Sequence, residues 1–168
     1  MADTVTSQTI QDGDRVAILK FTNASDGTGE SAVKKVDVSA LANHSKSNTA
    51  CTKVKVAKIW WACRGMGVNI EFDASTNVLI TGLPADSTGD EYYSDVFTGI
   101  PNNAGSGVTG DIDFTTVGHS SGDTYSIILE LVKEDNLPIK FFTKEDLSKI
   151  IVPNPSNVVQ KEIGTPSV

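Results

Sequence analysis

Asp111 and Asp113 lie two apart in an alternating stretch, which places both carboxylates on one side of a strand, and Asp123 follows across a turn. Three such oxygens could hold a calcium ion. The plainer expectation, adopted here, is an exposed acidic strand face with Ile112 and Phe114 turned inward. The only histidines, His44 and His119, sit in Ser/Asn-rich loop sequence, and neither pairs with Cys51 or Cys63 at zinc-ligand spacing. Ser120, His119 and Asp123 can be written as a nucleophile, base and orienter, but three groups in one tight turn cannot line up for proton relay. Asp12-Gly13-Asp14 and Asp26-Gly27 have calcium-loop fragments without the closing glutamate and are read as turns. The glycines between Gly99 and Gly110 lack both a following helix and a lysine, so they form no phosphate loop. No catalytic, metal or cofactor residue is therefore assigned, and a non-enzymatic chain is expected.

The acids are unevenly distributed along the chain. Residues 1–64 hold nine cations against six carboxylates, whereas residues 65–132 hold ten carboxylates and no lysine or arginine. Those ten are Glu71, Asp73, Asp86, Asp90, Glu91, Asp95, Asp111, Asp113, Asp123 and Glu130. Like charges without internal partners must meet solvent, a cation or a basic surface. Because several of them alternate with Ile70, Phe72, Ile112 and Phe114, a solvent-facing surface is expected. The net charge of −7 also opposes nucleic-acid binding, which needs a basic stripe. No stretch reaches the length of a membrane span, and residues 1–11 lack the apolar run of a signal peptide, so synthesis in the cytosol is expected.

The elements that must position these residues read as β-structure. Frequent Val and Ile among 14 scattered glycines is a β-rich composition. Residues 15–23 alternate around Val16, Ile18, Leu19 and Phe21, and residues 32–41 place Val36 and Val38 on one face; together with the loop between them they suggest a hairpin. From Lys53 to Cys63 the apolar phase slips near Ala57 and Lys58, which either a bulge or burial of both faces would reconcile. Trp60 and Trp61 must point to opposite faces, one ring to the core and one to a contact. Residues 68–73 and 77–80 form the clearest strand pair, residues 91–97 and 111–116 suggest further strands, and residues 124–132 an inner one. About eight short strands predict an all-β antiparallel sandwich or jelly roll over residues 1–134. Cys51 and Cys63 are expected as reduced, partly buried thiols.

After Glu134 the pattern changes. Thr143 with Asp146 can cap a short helix over 143–151, and prolines at 153, 155 and 166 predict an extended arm over 153–168. Residues 135–168 thus form a C-terminal extension with too little apolar surface to fold on itself. Candidate partner contacts are Trp60 and Trp61 on the sandwich, and Phe141, Phe142, Ile150, Ile151, Val158, Val159 and Ile163 on the extension.

Several tracts resemble small virion proteins of tailed phages of aquatic bacteria: residues 11–15 (QDGDR), 20–23 (KFTN), 25–31 (SDGTGES), 35–41 (KVDVSAL), 99–105 (GIPNNAG) and 118–125 (GHSSGDTY). The likeness runs roughly from Val5 to Val132. It implies a capsid decoration or cement protein that binds the major capsid protein or other virion subunits on the outer capsid surface, without catalytic residues. A homo-oligomer, first of all a trimer, is expected with it. The alternatives are a tail, neck or fibre component, and a calcium-dependent glycan-binding module suggested by the acidic loops and the Trp60-Trp61 pair.

Overall fold

A computed structural model describes residues 3–45, 47–95 and 97–134, all within the first of two compact units, which ends at Asn136. Ten strands follow in chain order: β1 (Thr4–Asp12), β2 (Val16–Ala24), β3 (Val33–Val36), β4 (Val54–Arg64), β5 (Gly67–Phe72), β6 (Val78–Leu83), β7 (Thr88–Tyr92), β8 (Ile100–Pro101), β9 (Ile112–Val117) and β10 (Thr124–Lys133). They pair antiparallel in two sheets. The larger runs β1-β2-β10-β4-β7, with β8 also pairing on β4, and the smaller runs β3-β9-β5-β6. The fold is an all-β antiparallel sandwich.

Alternation decides which side of each strand is covered. On β2, Ala17, Leu19, Phe21 and Asn23 are buried, and on β10 Tyr125, Ile127, Leu129 and Leu131 are buried beside them. From the smaller sheet Val68, Ile70, Phe72, Ile112 and Phe114 meet this layer. The ring of Phe114 packs edge-on against Phe21 at 5.4 Å and against Tyr125 at 5.9 Å between centroids, the geometry aromatic quadrupoles prefer. The slip expected near Ala57 is present: Lys58 pairs with Glu130 and Val56 with Leu131, so Ala57 is the extra residue. Trp61 packs on the core with its indole N–H donated to Ser87 Oγ at 3.0 Å, while Trp60 faces outward edge-on to Tyr92. Cys51 and Cys63 are both buried.

The chain changes sheets between β4 and β5 through Gly65 and Met66. Gly65 has φ +79°, and a Cβ there would lie 1.9 Å from Asp123 Oδ1, so any other residue would be strained and would have to displace the Asp123 carboxylate. Lys133 closes the opposite end of the sandwich. Its side chain, 2% exposed, reaches Asp12 Oδ1 at 2.5 Å and the carbonyl of Ala42 at 2.8 Å.

Several expectations are corrected. The expected hairpin of residues 15–41 does not exist, because β2 and β3 belong to different sheets. The second of those strands is only four residues long, since Asp37 caps a 3-10 turn over Val38–Ala40 by accepting from Ser39 N. The strand β1 has no counterpart among the expectations: it is exposed along almost its whole length and is held by pairing with β2. The strand expected over residues 91–97 is shifted back to β7 and followed by a 3-10 turn over Tyr93–Asp95. Asp111 and Asp113, expected on an exposed face, are each only 5% exposed. The short helix at 143–151, the arm at 153–168 and the contact candidates Phe141, Phe142, Ile150, Ile151, Val158, Val159 and Ile163 lie outside the described residues.

Candidate functional site

The outward face of the larger sheet carries two cross-strand rows of mostly small side chains. One row is Thr4, Ala24, Thr124 and Arg64; the next is Thr6, Thr22, Ser126, Ala62 and Thr88. Large residues would fill such a face. Threonine, serine and alanine instead leave a hollow of about 680 Å³ across five strands, within the roughly 300–1,000 Å³ of small-molecule sites. Its floor offers methyl groups and hydroxyls; those of Thr6 and Thr22 are hydrogen-bonded to each other. Arg64 supplies a cation, and Asp86, also in the lining, accepts from Gly65 N at 2.8 Å. Cys63 also lines the hollow, but burial pushes its thiol up to about 11, which keeps it protonated and unreactive at neutral pH.

Trp60 stands two residues along β4 from Ala62, on this same outward side. Its indole N–H donates to the Tyr92 hydroxyl at 3.1 Å, and the Lys58 ammonium lies 5.7 Å from the Tyr92 ring centre. Lys58 also pairs with Glu130 at 3.3 Å. The hollow is therefore bordered on one side by aromatic and charged groups that already have partners. Sequence reading singles out Trp60 but none of the threonines, because a lone threonine in an alternating strand has no signature until the strands are paired.

The acidic residues divide. The carboxylate of Asp111 pairs with Lys34 at 2.5 Å and accepts from Val38 N at 2.9 Å. Asp113 accepts from Asn77 Nδ2 at 3.3 Å through one oxygen, and its other oxygen has no partner among the described residues. Burial raises the Asp113 pKa, opposed by the Asn77 hydrogen bond and Lys34 and reinforced by Asp73 and Asp111. Asp123 is elsewhere, accepting from Ser120 N at 2.6 Å and packed at Gly65. The trio drawn from the sequence thus does not converge, and no group of three or more His, Cys, Asp or Glu that could hold a metal occurs among the described residues. His119 contacts the Thr116 hydroxyl at 3.4 Å, while Ser120 meets Asp123 through its backbone.

A second polar group is largely buried in the sandwich. Glu30 and Lys35 form an ion pair in which each side chain is 4% exposed, and the Tyr125 hydroxyl donates to Glu30 Oε2 at 2.7 Å. Burial, followed by the Glu30 carboxylate, pushes the Tyr125 pKa well above the phenol range.

Residues 122–168 match the family model described as cobalamin synthesis G C-terminus. Residues 1–121 lie outside the matched stretch. No curated protein and no solved structure matches the chain. The match overturns the resemblance to phage virion proteins and the capsid-decoration function drawn from it. The tail, neck or fibre alternative, the glycan-binding alternative, the expectation of a non-enzymatic chain and the virion location are corrected with it, because the matched family belongs to a biosynthetic pathway. Short loop tracts such as QDGDR and GHSSGDTY follow turn chemistry that unrelated β-proteins share, which is why they mislead.

Proposed function

We propose that the chain works in cobalamin synthesis and that its sandwich binds a carboxylate-bearing ligand in the threonine-lined hollow. The observation that carries this reading is a coincidence of position. The described part of the matched stretch is essentially β10, and β10 gives the hollow Thr124, Tyr125 and Ser126. The chemistry of the lining suits such a ligand. Arg64 offers a forked cation to a carboxylate, the hydroxyls of Thr88, Thr124 and Ser126 offer hydrogen bonds, and the threonine methyl groups offer apolar contact to a flat ring edge. Cobalamin synthesis handles cobalt-binding macrocycles that carry carboxylate arms, and these combine both kinds of surface.

The test is absorbance titration of the full chain with a cobalt corrinoid whose carboxylate arms are free. A saturable spectral change is expected, with Ser126→Tyr, which fills the hollow, and Arg64→Ala each weakening binding by roughly tenfold or more, the loss typical of one charge-assisted contact. Absence of a spectral change at saturating corrinoid, or binding that both variants leave intact, refutes the reading.

A further inference from the structure

Glu30 and Lys35 present an unusual chemical situation. Two opposite charges have been taken out of water, which is unfavourable, and the groups that could offset the loss are few. The Lys35 ammonium sits 6.0 Å from the ring centres of both Phe114 and Tyr125. The turn that carries Glu30 and leads into β3, where Lys35 sits, is hydrogen-bonded to β9. Glu30 N donates to Thr116 Oγ1 at 2.7 Å, Thr116 N donates to the Glu30 carbonyl at 3.0 Å, and Ala32 N donates to Thr115 Oγ1 at 2.9 Å. Ala32 itself is held at φ +46°, a left-handed conformation that a β-carbon disfavours and that only surrounding contacts maintain.

We propose that Lys35 and Glu30 condense to an intramolecular amide, so that this pair is a self-modification site. The reaction starts with transfer of the ammonium proton to the carboxylate it touches, which leaves a primary amine against a carboxylic acid. These are the two reactants of amide formation. The lone pair of Lys35 Nζ attacks Glu30 Cδ and forms the C–N bond, while the carbonyl electron pair moves onto Oε2. The Tyr125 hydroxyl, already aimed at Oε2, stabilises that oxyanion by hydrogen bonding. A proton then passes from the attacking nitrogen to Oε1, the C–Oε1 bond breaks, and Oε1 leaves as water. One water is lost, nothing is oxidised or reduced, and no co-reactant is required. The hydrogen-bonded turn supplies the positioning that makes an otherwise slow condensation feasible. The product replaces two buried charges by one neutral amide and ties the β2–β3 connection into a closed loop beside β9 and β10.

The experiment is intact-mass measurement of the full chain after denaturation, with tandem fragmentation of the peptide that spans residues 30–35. The wild-type chain is expected to be lighter than its sequence mass by one water, with the loss mapped between Glu30 and Lys35. Lys35→Arg is expected at full mass, which separates the amide from dehydration at Asp12-Gly13 or Asp26-Gly27, because those losses would persist in the variant. If Lys35→Arg does not fold, Glu30→Gln serves instead, since attack on its amide expels ammonia and the deficit changes from one water to one ammonia. Tyr125→Phe is expected to slow the appearance of the lighter species by roughly tenfold or more, as removal of an oxyanion donor does. A wild-type chain that remains at full mass on prolonged incubation at neutral pH, or a water loss that survives Lys35→Arg, overturns the proposal.

Discussion

Asp113→Asn is expected to stabilise the sandwich at neutral pH, although it removes a charge from a region with a lysine nearby. Asp113 is 5% exposed, and one of its carboxylate oxygens has no partner among the described residues. Leaving a buried acceptor unsatisfied costs about 1–3 kcal/mol, and more when it is charged. Lys34 lies opposite on β3, but its ammonium is committed to Asp111, and Asp73 adds a like charge. Burial therefore raises the folded-state pKa of Asp113 above its ordinary value of 3.8. A raised carboxylate pKa means that the folded chain binds the proton more tightly than the unfolded one. The penalty is absent below the unfolded pKa, grows as pH rises toward the folded pKa, and is complete above it. The substituted side chain keeps a carbonyl oxygen to accept from Asn77 and carries no charge. A gain of about 1–2 kcal/mol corresponds to a rise of roughly 2–8 °C in Tm for a chain of this size. Thermal unfolding of both proteins, followed by circular dichroism from pH 3 to pH 8, would show the difference growing with pH. Lower stability of the variant at pH 7, or a gain of equal size at pH 3 and pH 7, would refute the reasoning.

Gly89→Ala places a Cβ 2.6 Å from the Trp61 ring, which Ser87 fixes in place, so a loss of about 1–3 kcal/mol is expected in denaturant unfolding. Lys133→Met leaves the Asp12 carboxylate and the Ala42 carbonyl without their shared donor; because the ion pair is largely buried, a loss of about 2–4 kcal/mol is expected by the same measurement. Cys63, with its thiol pushed up to about 11, is expected to resist a thiol-specific reagent at pH 8 in the native protein and to react at once in denaturant.

How much of this is legible in the sequence varies with the range of the interaction involved. The phase slip at Ala57 is readable because the apolar pattern of β4 changes sides within a few residues, and β10 because its alternation is uninterrupted from Tyr125 to Leu131. The strand β1 is not, since Thr4–Asp12 has no buried side and its stability comes from the neighbouring β2 backbone. Asp113 misleads for a related reason. An acid between Ile112 and Phe114 reads as solvent-facing, and only the covering of that face by Asn77 and the β3 side of the sheet puts it in the interior. The hollow draws on Thr4, Thr22, Arg64, Thr88 and Ser126, residues that come together only once five strands are in register. Glu30 and Lys35 lie five apart in the sequence, but their burial depends on Phe114 and Tyr125, far along the chain.

The position of β10 fixes the order in which the larger sheet can be completed. It is the last described strand, yet it lies between β2 and β4 and joins the β1-β2 half of the sheet to the β4-β7 half. A nascent chain must therefore keep two separate hairpin-like ribbons waiting, each with a bare inner edge, until Lys133 has left the ribosome. Nucleation of the larger sheet is thereby deferred to the end of the domain's synthesis, and the long-range pairings make it slow. A chain released before Thr124 would offer both inner edges, β2 and β4, to other chains, the setting in which strands aggregate. Productive folding of this sandwich is a race between synthesis of its final strand and capture of the edges that strand is meant to cover.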